Sequence, residues 1–427
     1  MRNANRMLAL CLLLAAAPHA FGEGLPAGKP ELVGLSAARL ARIGEAMKRS
    51  VDEGRLAGVV TLVARDGRVV HLEAYGKASE GTAGAMRTDS VFRIASMSKA
   101  LTSVAAMMLV EDGKLLIGDP VSRYIPAFKN TTVADTAQGS VPAKRPITIR
   151  DLLTHTAGIS YGGELTREKY HAAGFDDWYF ADKPEPIGHW IEKLAGLPFD
   201  AQPGERYVYG YSTDILGYVV EKASGMSLDA FLRARLLQPL KLDDTHFFLP
   251  EQKRARLTTV YAAREAGGIE PAPDKGRNQG AYVDGPRASF SGGAGLLSTA
   301  SDYARFLQML LNGGELDGAR LLSPKTVELM TSNHVGNLYS EGRFGFGLGF
   351  EITEHVGRSG RHGSVGEFGW GGAYFTKFWV DPQERLVVVF MAQLLPARGL
   401  DLQDKFRALV YQSLVTSAAW PPVARRP

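Results

Sequence analysis

The stretch from Ser98 to Val110 contains a single charge, on Lys99, and otherwise carries apolar and small side chains on every face of a helix. A helix that is apolar all round is stable only where other elements cover it. We therefore predict a buried helix over this stretch, ending at Gly113. A chain of 427 residues with 45% hydrophobic residues is long enough to build the surrounding core, as two domains or as one large domain.

Both ends of the chain have the pattern of helices beside strands. Residues 36–53 carry apolar side chains at helical spacing, and residues 59–75 predict two strands joined by the hairpin turn Asp66-Gly67. Residues 373–392 predict a second hairpin, and a final amphipathic helix follows at 401–414. The chain is therefore predicted to begin with a helix and strands and to end with strands and a helix.

The middle of the chain is mostly helical in pattern. Helical periodicity, N-caps or glycine stops predict helices at 98–112, 148–157, 212–224, 227–237, 301–312 and 324–331. Long loops rich in Gly, Pro and Asp separate them at 129–146, 161–187 and 261–292, and loops of this length usually serve a site or are mobile. The predicted fold class is α/β (α+β), with an antiparallel sheet flanked by the terminal helices and a large, mostly helical insertion.

The N-terminus has the pattern of a secretory signal peptide. Arg2 and Arg6 precede a short apolar run that contains Cys11, the only cysteine, and small residues follow that run. We expect cleavage after Ala20 or Gly22 and a secreted or periplasmic protein, with an uncleaved membrane anchor as the alternative. A mature chain without cysteine has no disulfide, no thiol chemistry and no cysteine-bound metal.

Ser96 and Lys99 stand three residues apart at the start of the predicted buried helix, so they share one face about one turn apart. The free N–H groups and the positive dipole end of that helix can hold a developing oxyanion. Desolvation and the positive potential both favour the uncharged amine, which a base needs in order to take a proton from serine. The plainer alternative is that Ser96 caps the helix and Lys99 reaches solvent.

Two later segments add candidate residues. Tyr209 precedes a predicted helix, and a tyrosine beside a lysine can act as a general base, although a core tyrosine is the plainer interpretation. Trp370-Gly371-Gly372 is predicted to open a strand, where glycines permit close approach of a ligand. The next N–H, that of Ala373, can donate to an oxyanion, and the alternative there is a tight turn into an edge strand.

Taken together, these segments make the chain resemble the serine hydrolases of the β-lactamase and penicillin-binding-protein superfamily. The marks of that superfamily are Ser-x-x-Lys, a Tyr-x-Asn or Ser-Asp-Asn loop, and Lys-Thr-Gly on a strand. The resemblance is strongest to the family VIII carboxylesterases, which are similar to class C β-lactamases. It covers nearly all of the mature chain through the stretches VVTLVARDGRVV, FRIASMSK, DLLTHTAGIS, PGERYVYGYSTDILG, SGGAGLLSTASDYARF, FGLGF and WGGAYFTKFWVDP.

The resemblance implies a role for each matching residue. Ser96 is the acylating nucleophile, and Lys99 is its proton partner. Tyr209 is the base that activates the serine or the deacylating water, and the N–H groups of Ser96 and Ala373 form the oxyanion hole. The implied fold is that of the β-lactamases and DD-peptidases.

The sequence departs from the superfamily pattern at two positions. Tyr211 stands where Tyr-x-Asn has its amide, and Trp370 stands where Lys-Thr-Gly has the lysine that helps to hold a substrate carboxylate. An indole offers apolar area and a ring face instead of a charge. Both changes favour neutral esters over carboxylated β-lactams and peptides. The predicted substrate-binding residues are Trp370, Gly371, Gly372, Tyr211 and, in a neighbouring loop, Tyr161.

Two other features of the sequence are weaker candidates for catalysis. Ser160 lies at the centre of Gly158-Ile159-Ser160-Tyr161-Gly162, which has the spacing of a lipase nucleophile elbow. That elbow needs a strand before the serine and a helix after it, whereas a helical pattern precedes Ser160 and a loop follows it. His155 belongs to no histidine or carboxylate cluster, so we expect a hydrogen-bonded structural residue there.

The predicted organisation has three parts: a signal peptide at 1–22, an α/β sandwich domain from 23–90 and 293–427, and a mostly helical domain at 91–292. The site is expected where the Ser96 helix, the Tyr209 loop and the Trp370 strand meet. No metal or cofactor is expected, and the formal net charge of +4 without a clustered basic face argues against a nucleic-acid partner.

Three functions remain open at this level. The first is a serine carboxylesterase that cleaves a short-acyl, small-molecule ester and retains weak β-lactamase activity. The second is a β-lactamase or D-amino-acid peptidase, which the secretion signal and the superfamily also allow. The third is a non-catalytic, penicillin-binding-like protein. After signal removal we expect no stable membrane span, and the oligomeric state is not indicated.

Overall fold

The computed structural model of the chain describes residues 24–79, 84–265, 267–397 and 399–417, so the predicted signal peptide lies outside the described residues. The longest helices form where apolar side chains recur at helical spacing. Ser36 caps the first helix by accepting a hydrogen bond from the N–H of Arg39. The helices are α1 Ala37–Asp52, α2 Ser98–Glu111, α3 Ile149–Leu153, α4 Arg167–Ala172, α5 Ile187–Ala195, α6 Ser212–Ser224, α7 Leu228–Leu232, α8 Ala300–Leu311, α9 Pro324–Met330, α10 Val356–Ser359 and α11 Leu402–Tyr411.

The strands form one main sheet and several small pairs. They are β1 Gly58–Arg65, β2 Arg68–Gly76, β3 Phe92–Arg93, β4 Thr132–Asp135, β5 Gly139–Pro142, β6 Pro198–Phe199, β7 Tyr261–Ala263, β8 Ile269–Pro271, β9 Leu297–Ser298, β10 Glu315–Leu316, β11 Ala319–Arg320, β12 Gly345–Phe346, β13 Glu351–Ile352, β14 Phe368–Gly372, β15 Thr376–Asp381 and β16 Leu386–Ala392. Within the described residues, the main sheet is antiparallel and has seven strands in the order β12-β13-β14-β15-β16-β1-β2.

The main sheet is covered by helices on both faces because its central strands are apolar on both. In β1, Val60, Leu62 and Ala64 pack into the core that includes α2 and α8. The alternate residues Val59 and Val63 pack with α1 and α11 on the other face. This period of two is the side-chain alternation of a strand. The antiparallel α/β fold predicted from the sequence is thus confirmed.

Both terminal hairpins form, with one shift in position. Asp66 and Gly67 take positive φ angles of 52° and 72°, which suit the tight turn between β1 and β2. The later hairpin consists of β15 and β16, and it begins only at Thr376. The segment 370–372 therefore ends strand β14 instead of opening a strand, which corrects the prediction made for it.

The helical part of the chain contains elements that the sequence pattern did not indicate. Helix α4 lies within the predicted loop 161–187, and the β7–β8 hairpin lies within the predicted loop 261–292. The division into two domains at residues 91 and 292 stays a prediction. Of the helices in the described ranges, none is long and apolar enough to cross a membrane.

Candidate active site

Ser96 is set apart from its neighbours by its exposure. Within the fully described stretch from Val91 to Leu109, it is the one residue that is not buried. It lies in a short 3-10 turn that runs directly into α2. The preceding residue, Ala95, has a φ of +40°, and a non-glycine residue held in this region costs about 1–3 kcal/mol. Such strain persists only where the surrounding structure holds the backbone firmly.

A second segment supplies that support along the whole Ser96 turn. Strand β3 pairs with β9, and the N–H of Leu296 donates to the Oγ of Ser98 over 3.0 Å. The hydroxyl of Tyr303, on α8, donates to the carbonyl of Met97 over 2.8 Å. The glycine-rich segment before β9 therefore lies beside the turn that carries Ser96 and holds that turn in place.

Lys99 is 1% exposed, and its amine points at Ser96. Its Nζ donates hydrogen bonds to the Oγ of Ser96 at 3.3 Å, to the hydroxyl of Tyr161 at 3.2 Å and to the carbonyl of Gly293 at 2.8 Å. An ammonium has three N–H donors, whereas an amine has two donors and a lone pair. The uncharged form can therefore keep the contacts to Tyr161 and Gly293 and accept the proton of Ser96.

Tyr209 faces the same amine from the other side. The Nζ of Lys99 lies 4.7 Å from the centre of the Tyr209 ring. Within the described part of the chain, the hydroxyl of Tyr209 has one hydrogen bond, which it accepts from the indole N–H of Trp370 over 3.3 Å. The structure thus brings Ser96, Lys99, Tyr209 and Trp370 together, with Tyr209 next to Lys99.

The end of strand β14 meets the nucleophile turn through a glycine. A side chain at Gly372 would collide with the carbonyl of Ile94 and with Thr376, so only glycine fits there. Ala373 follows it, exposed, at the tip of the hairpin. The backbone of Ala373 is therefore next to the segment that carries Ser96, as an oxyanion hole formed by both would require.

Aromatic rings form a continuous wall around the reacting groups. Half-buried Trp370 packs edge-on against Phe346 at 5.2 Å, and Tyr207, Tyr339 and Tyr209 adjoin them. On the far side Tyr161 stands edge-on to Tyr209 at 5.9 Å. A substrate that approaches Ser96 therefore meets mainly ring faces and edges.

The structure does not bring Tyr211 to the open side of this wall. Tyr211 is 0% exposed, stands behind Tyr161 at 4.7 Å and donates to the carbonyl of Asp177 over 2.8 Å. Burial also raises the pKa of its phenol. Of the predicted substrate-binding residues, Tyr211 thus supports the wall from behind, because its hydroxyl is directed into the protein.

Asp214 is a buried group that the sequence motifs did not single out. One carboxyl oxygen accepts from the hydroxyl of Ser291 at 2.5 Å and from the N–H of Gly293 at 3.0 Å. Burial raises the pKa of Asp214, and nearby Lys99 partly opposes that rise. Because the carbonyl of Gly293 accepts from Lys99, Asp214 holds the backbone that orients the amine. Two stretches that carry the family resemblance contain the signal for it, PGERYVYGYSTDILG with Asp214 itself and SGGAG with its partners.

His155 lies beneath Tyr209, with ring centres 4.7 Å apart. Burial first, and Lys99 second, hold the pKa of His155 well below its usual value, so the ring is neutral. Its Nδ1 has no partner among the described residues, whereas its backbone carbonyl accepts from the N–H of Val208 over 2.7 Å. His155 therefore positions the Tyr209 turn by packing and main-chain hydrogen bonding, which is the structural role expected of it.

The hydroxyl of Ser160 is engaged in structural hydrogen bonds. It donates to Asp200 and accepts from the N–H of Gly162 over 2.8 Å. A side chain at Gly210 would collide with the backbone around Ser160, so this loop backs the Tyr209 turn and places Tyr161 against Lys99. Helix α3 comes before Ser160 and a loop follows it, so the order of strand, serine and helix that a nucleophile elbow needs is not formed.

The described residues offer no evident metal centre. They contain no group of three or more His, Cys, Asp or Glu side chains that could hold a metal ion. The polar atoms gathered around Ser96 are a lysine amine, phenol hydroxyls, an indole N–H and backbone groups. Their arrangement suits the transfer of an acyl group to a serine hydroxyl with proton transfer to an amine.

Known proteins resemble the chain over most of its length. A family model described as "Beta-lactamase" matches residues 43–412. The chain is 30% identical to Esterase EstB of Burkholderia gladioli over 85% of this chain and 92% of the relative. It is 26% identical to a putative D-alanyl-D-alanine carboxypeptidase of Escherichia coli (strain K12), over 86% of this chain and 85% of the relative.

A solved structure agrees with these relatives. The chain superposes on EstCE1, described as a hydrolase with promiscuous acyltransferase activity, with a TM-score of 0.77 and 30% identity. The superposition covers 88% of this chain and 99% of EstCE1.

Proposed function

Because the chain belongs to the β-lactamase family of serine hydrolases, which has esterases among its relatives, we propose that it is a serine carboxylesterase that cleaves short-acyl esters. One observation carries this proposal. The Lys99 amine contacts Ser96, while the strand position that holds a carboxylate-binding lysine in the superfamily pattern is Trp370. The site thus has a nucleophile and a base, and Trp370 offers the substrate no charge.

The geometry supports the following reaction. The Oγ of Ser96 attacks the ester carbonyl carbon while Lys99 takes its proton, and the N–H groups of Ser96 and Ala373 stabilise the oxyanion. The tetrahedral intermediate collapses, the C–O bond breaks and the alcohol leaves with a proton. Water, deprotonated by Tyr209 or Lys99, then attacks the acyl group on Ser96. The bond from the acyl carbon to Oγ breaks, the acid leaves, and the same base returns the proton to Oγ.

The aromatic wall favours esters over the alternative substrates of the family. A carboxylated β-lactam or a peptide ending in D-alanine must place a carboxylate near Trp370, where burial without a partner is costly. An apolar acyl chain gains about 0.8 kcal/mol for each buried CH₂ group on the same surface. The relative named as a putative carboxypeptidase keeps peptide hydrolysis as the competing function.

Hydrolysis profiling decides between these functions. We expect kcat/KM for p-nitrophenyl acetate or butyrate to exceed that for a chromogenic cephalosporin or a D-alanyl-D-alanine peptide by at least about 100-fold, the discrimination that one well-placed binding group provides. Ser96→Ala should abolish both activities and serves as the blank. A clear preference for the lactam or the peptide would contradict the proposal.

A further inference from the structure

The contact between Trp370 and Tyr209 has a fixed direction. The indole Nε1 lies 3.3 Å from the Tyr209 oxygen, and the two ring centres are 5.6 Å apart. An indole nitrogen is a donor only, so Tyr209 must accept this hydrogen bond. The phenol proton of Tyr209 is consequently directed away from the indole nitrogen of Trp370.

The indole is held in this position by its own neighbours. Phe346 meets it edge-on at 5.2 Å, and Tyr339 packs at 6.2 Å. Tyr339 is itself fixed by its hydroxyl, which donates to Glu351 over 2.6 Å. Because these rings hold the indole plane, its N–H stays aimed at the Tyr209 oxygen.

A donor at a phenol oxygen stabilises the anion that forms when the proton leaves. This effect is useful only if Tyr209 accepts and releases protons during turnover. The titratable groups that face Tyr209 are Lys99, His155, Tyr161, Tyr207 and Tyr339. His155 is neutral, and burial raises the pKa of Tyr161, Tyr207 and Tyr339. Among the groups that face Tyr209, the indole N–H of Trp370 is the one that donates a hydrogen bond to its oxygen.

We propose that Trp370 is a positioning residue for Tyr209, whose N–H orients the phenol and assists its loss of a proton, in addition to lining the substrate wall. This inference rests on the proposed function, since it assigns a role within the same site. Tryptophan at this strand position then has two effects. Compared with the lysine of the superfamily pattern, Trp370 brings no positive charge to the substrate pocket, but it still supplies a hydrogen-bond donor to Tyr209.

The test compares Trp370→Phe, which keeps an aromatic ring but loses the N–H, with Trp370→His, which retains an N–H. For Trp370→Phe we expect kcat on a p-nitrophenyl ester to fall about 10- to 100-fold with KM changed less than about threefold, because the variant loses part of the roughly 100- to 10,000-fold that general-base catalysis contributes. The rising limb of its pH–rate profile should move to higher pH, because the phenol loses its proton less readily. Trp370→His should recover part of the rate.

The matched control is Trp190→Phe, which removes an indole N–H that has no partner in the described structure. It should leave kcat and the pH profile within about twofold of wild type. A rise in KM for Trp370→Phe with unchanged kcat and unchanged pH profile would overturn the inference, because Trp370 would then only contact substrate.

A second measurement separates this inference from the proposed function. The rate at which a fluorophosphonate probe labels Ser96 reports serine activation without any ester. We expect Trp370→Phe to slow labelling about tenfold in the wild-type background and less than about twofold in a Tyr209→Phe background. An equal slowing in both backgrounds would contradict the inference. A wild-type protein that is labelled but cleaves no ester would contradict the proposed function alone.

Discussion

The amine of Lys99 is almost completely buried, and its three acceptors are a serine hydroxyl, a phenol and a backbone carbonyl. Burying a lysine without a directly paired carboxylate costs several kcal/mol if it is charged. Lys99 lies in the first turn of helix α2, whose other residues up to Val110 are apolar or small. At this residue, stability and activity therefore oppose each other.

Replacing Lys99 by Met tests this opposition. Met fills nearly the same volume without a polar head, so we expect the melting temperature of Lys99→Met to equal or exceed that of the wild type. Ester turnover should fall at least about 1,000-fold, because Ser96 loses its proton acceptor. Thermal unfolding and steady-state kinetics on the same preparation measure both effects. Retained turnover would contradict the role of Lys99.

The contact between Ser96 and Lys99 could be predicted because it is local. Two residues three apart on a helix always share a face, and the amino-acid sequence alone places them one turn apart. The hydrogen bond from Trp370 to Tyr209 joins positions 161 residues apart, and no local rule predicts it. The same holds for Asp214, whose hydrogen bond reaches Lys99 through the backbone of Gly293.

The first turn of helix α8 contains a carboxyl group that titrates near neutral pH. Asp302 accepts from the N–H of Asp244 over 2.8 Å and from the hydroxyl of Thr245 over 2.9 Å. Burial first, and the negative charges of Asp244 and Asp243 second, raise the pKa of Asp302 to about 7. Lys253 and Arg256 form ion pairs with Asp244 and so reduce its effect on Asp302.

The sign of the resulting pH effect follows from proton binding. Between about pH 4 and pH 7 the folded protein holds a proton on Asp302 that the unfolded chain has released, so rising pH weakens the fold. From the value of about 7, the effect across this window is about 4 kcal/mol. We expect the melting temperature of Asp302→Asn relative to wild type to rise from pH 5 to pH 8.

Asp302→Asn and the wild type share all other titrating groups, so the contributions of those groups cancel in the difference between the two melting temperatures. Exposed Asp52, which pairs with Lys48 at the surface, provides the control, and Asp52→Asn should show no such trend. A difference between Asp302→Asn and wild type that stays constant with pH would show that Asp302 does not titrate in this range.

Elements with strong local signals were predictable, and weak ones were not. Helices α1, α2, α6 and α8 and the first hairpin form close to where caps, periodicity and the Asp66-Gly67 turn placed them. Strands β12 and β13 are two residues each, so no period can be read from them, and they form because β13 pairs with the edge of β14 and β12 pairs with β13. Residues 370–372 end a strand because Gly372 must fit against Ile94, a contact made by distant chain.

At the scale of the whole molecule, strands from near the two ends of the chain pair with each other in the main sheet. Strands β1 and β16 pair side by side along seven residue pairs, although they lie more than 300 residues apart in the chain. The sequence predicted an antiparallel sheet from both ends because each end carries its own hairpin. It did not specify that these two strands would be neighbours, since cross-strand pairing depends on packing against α1, α8 and α11.

Two serines, Ser96 and Ser160, lie in sequence motifs typical of catalytic nucleophiles, and of these two it is Ser96 whose hydroxyl contacts a lysine amine. Ser160 belongs to a Gly-x-Ser-x-Gly stretch but donates to Asp200. A covalent acyl group is therefore expected on Ser96 during ester hydrolysis.

The mass of the intact protein, quenched during turnover of a slowly deacylated p-nitrophenyl ester, tests this claim most directly. We expect one added acyl mass on the wild-type chain and on Ser160→Ala, mapping to the peptide that contains Ser96, and no added mass on Ser96→Ala. An adduct that persists in Ser96→Ala, or that is lost in a correctly folded Ser160→Ala, would contradict the account.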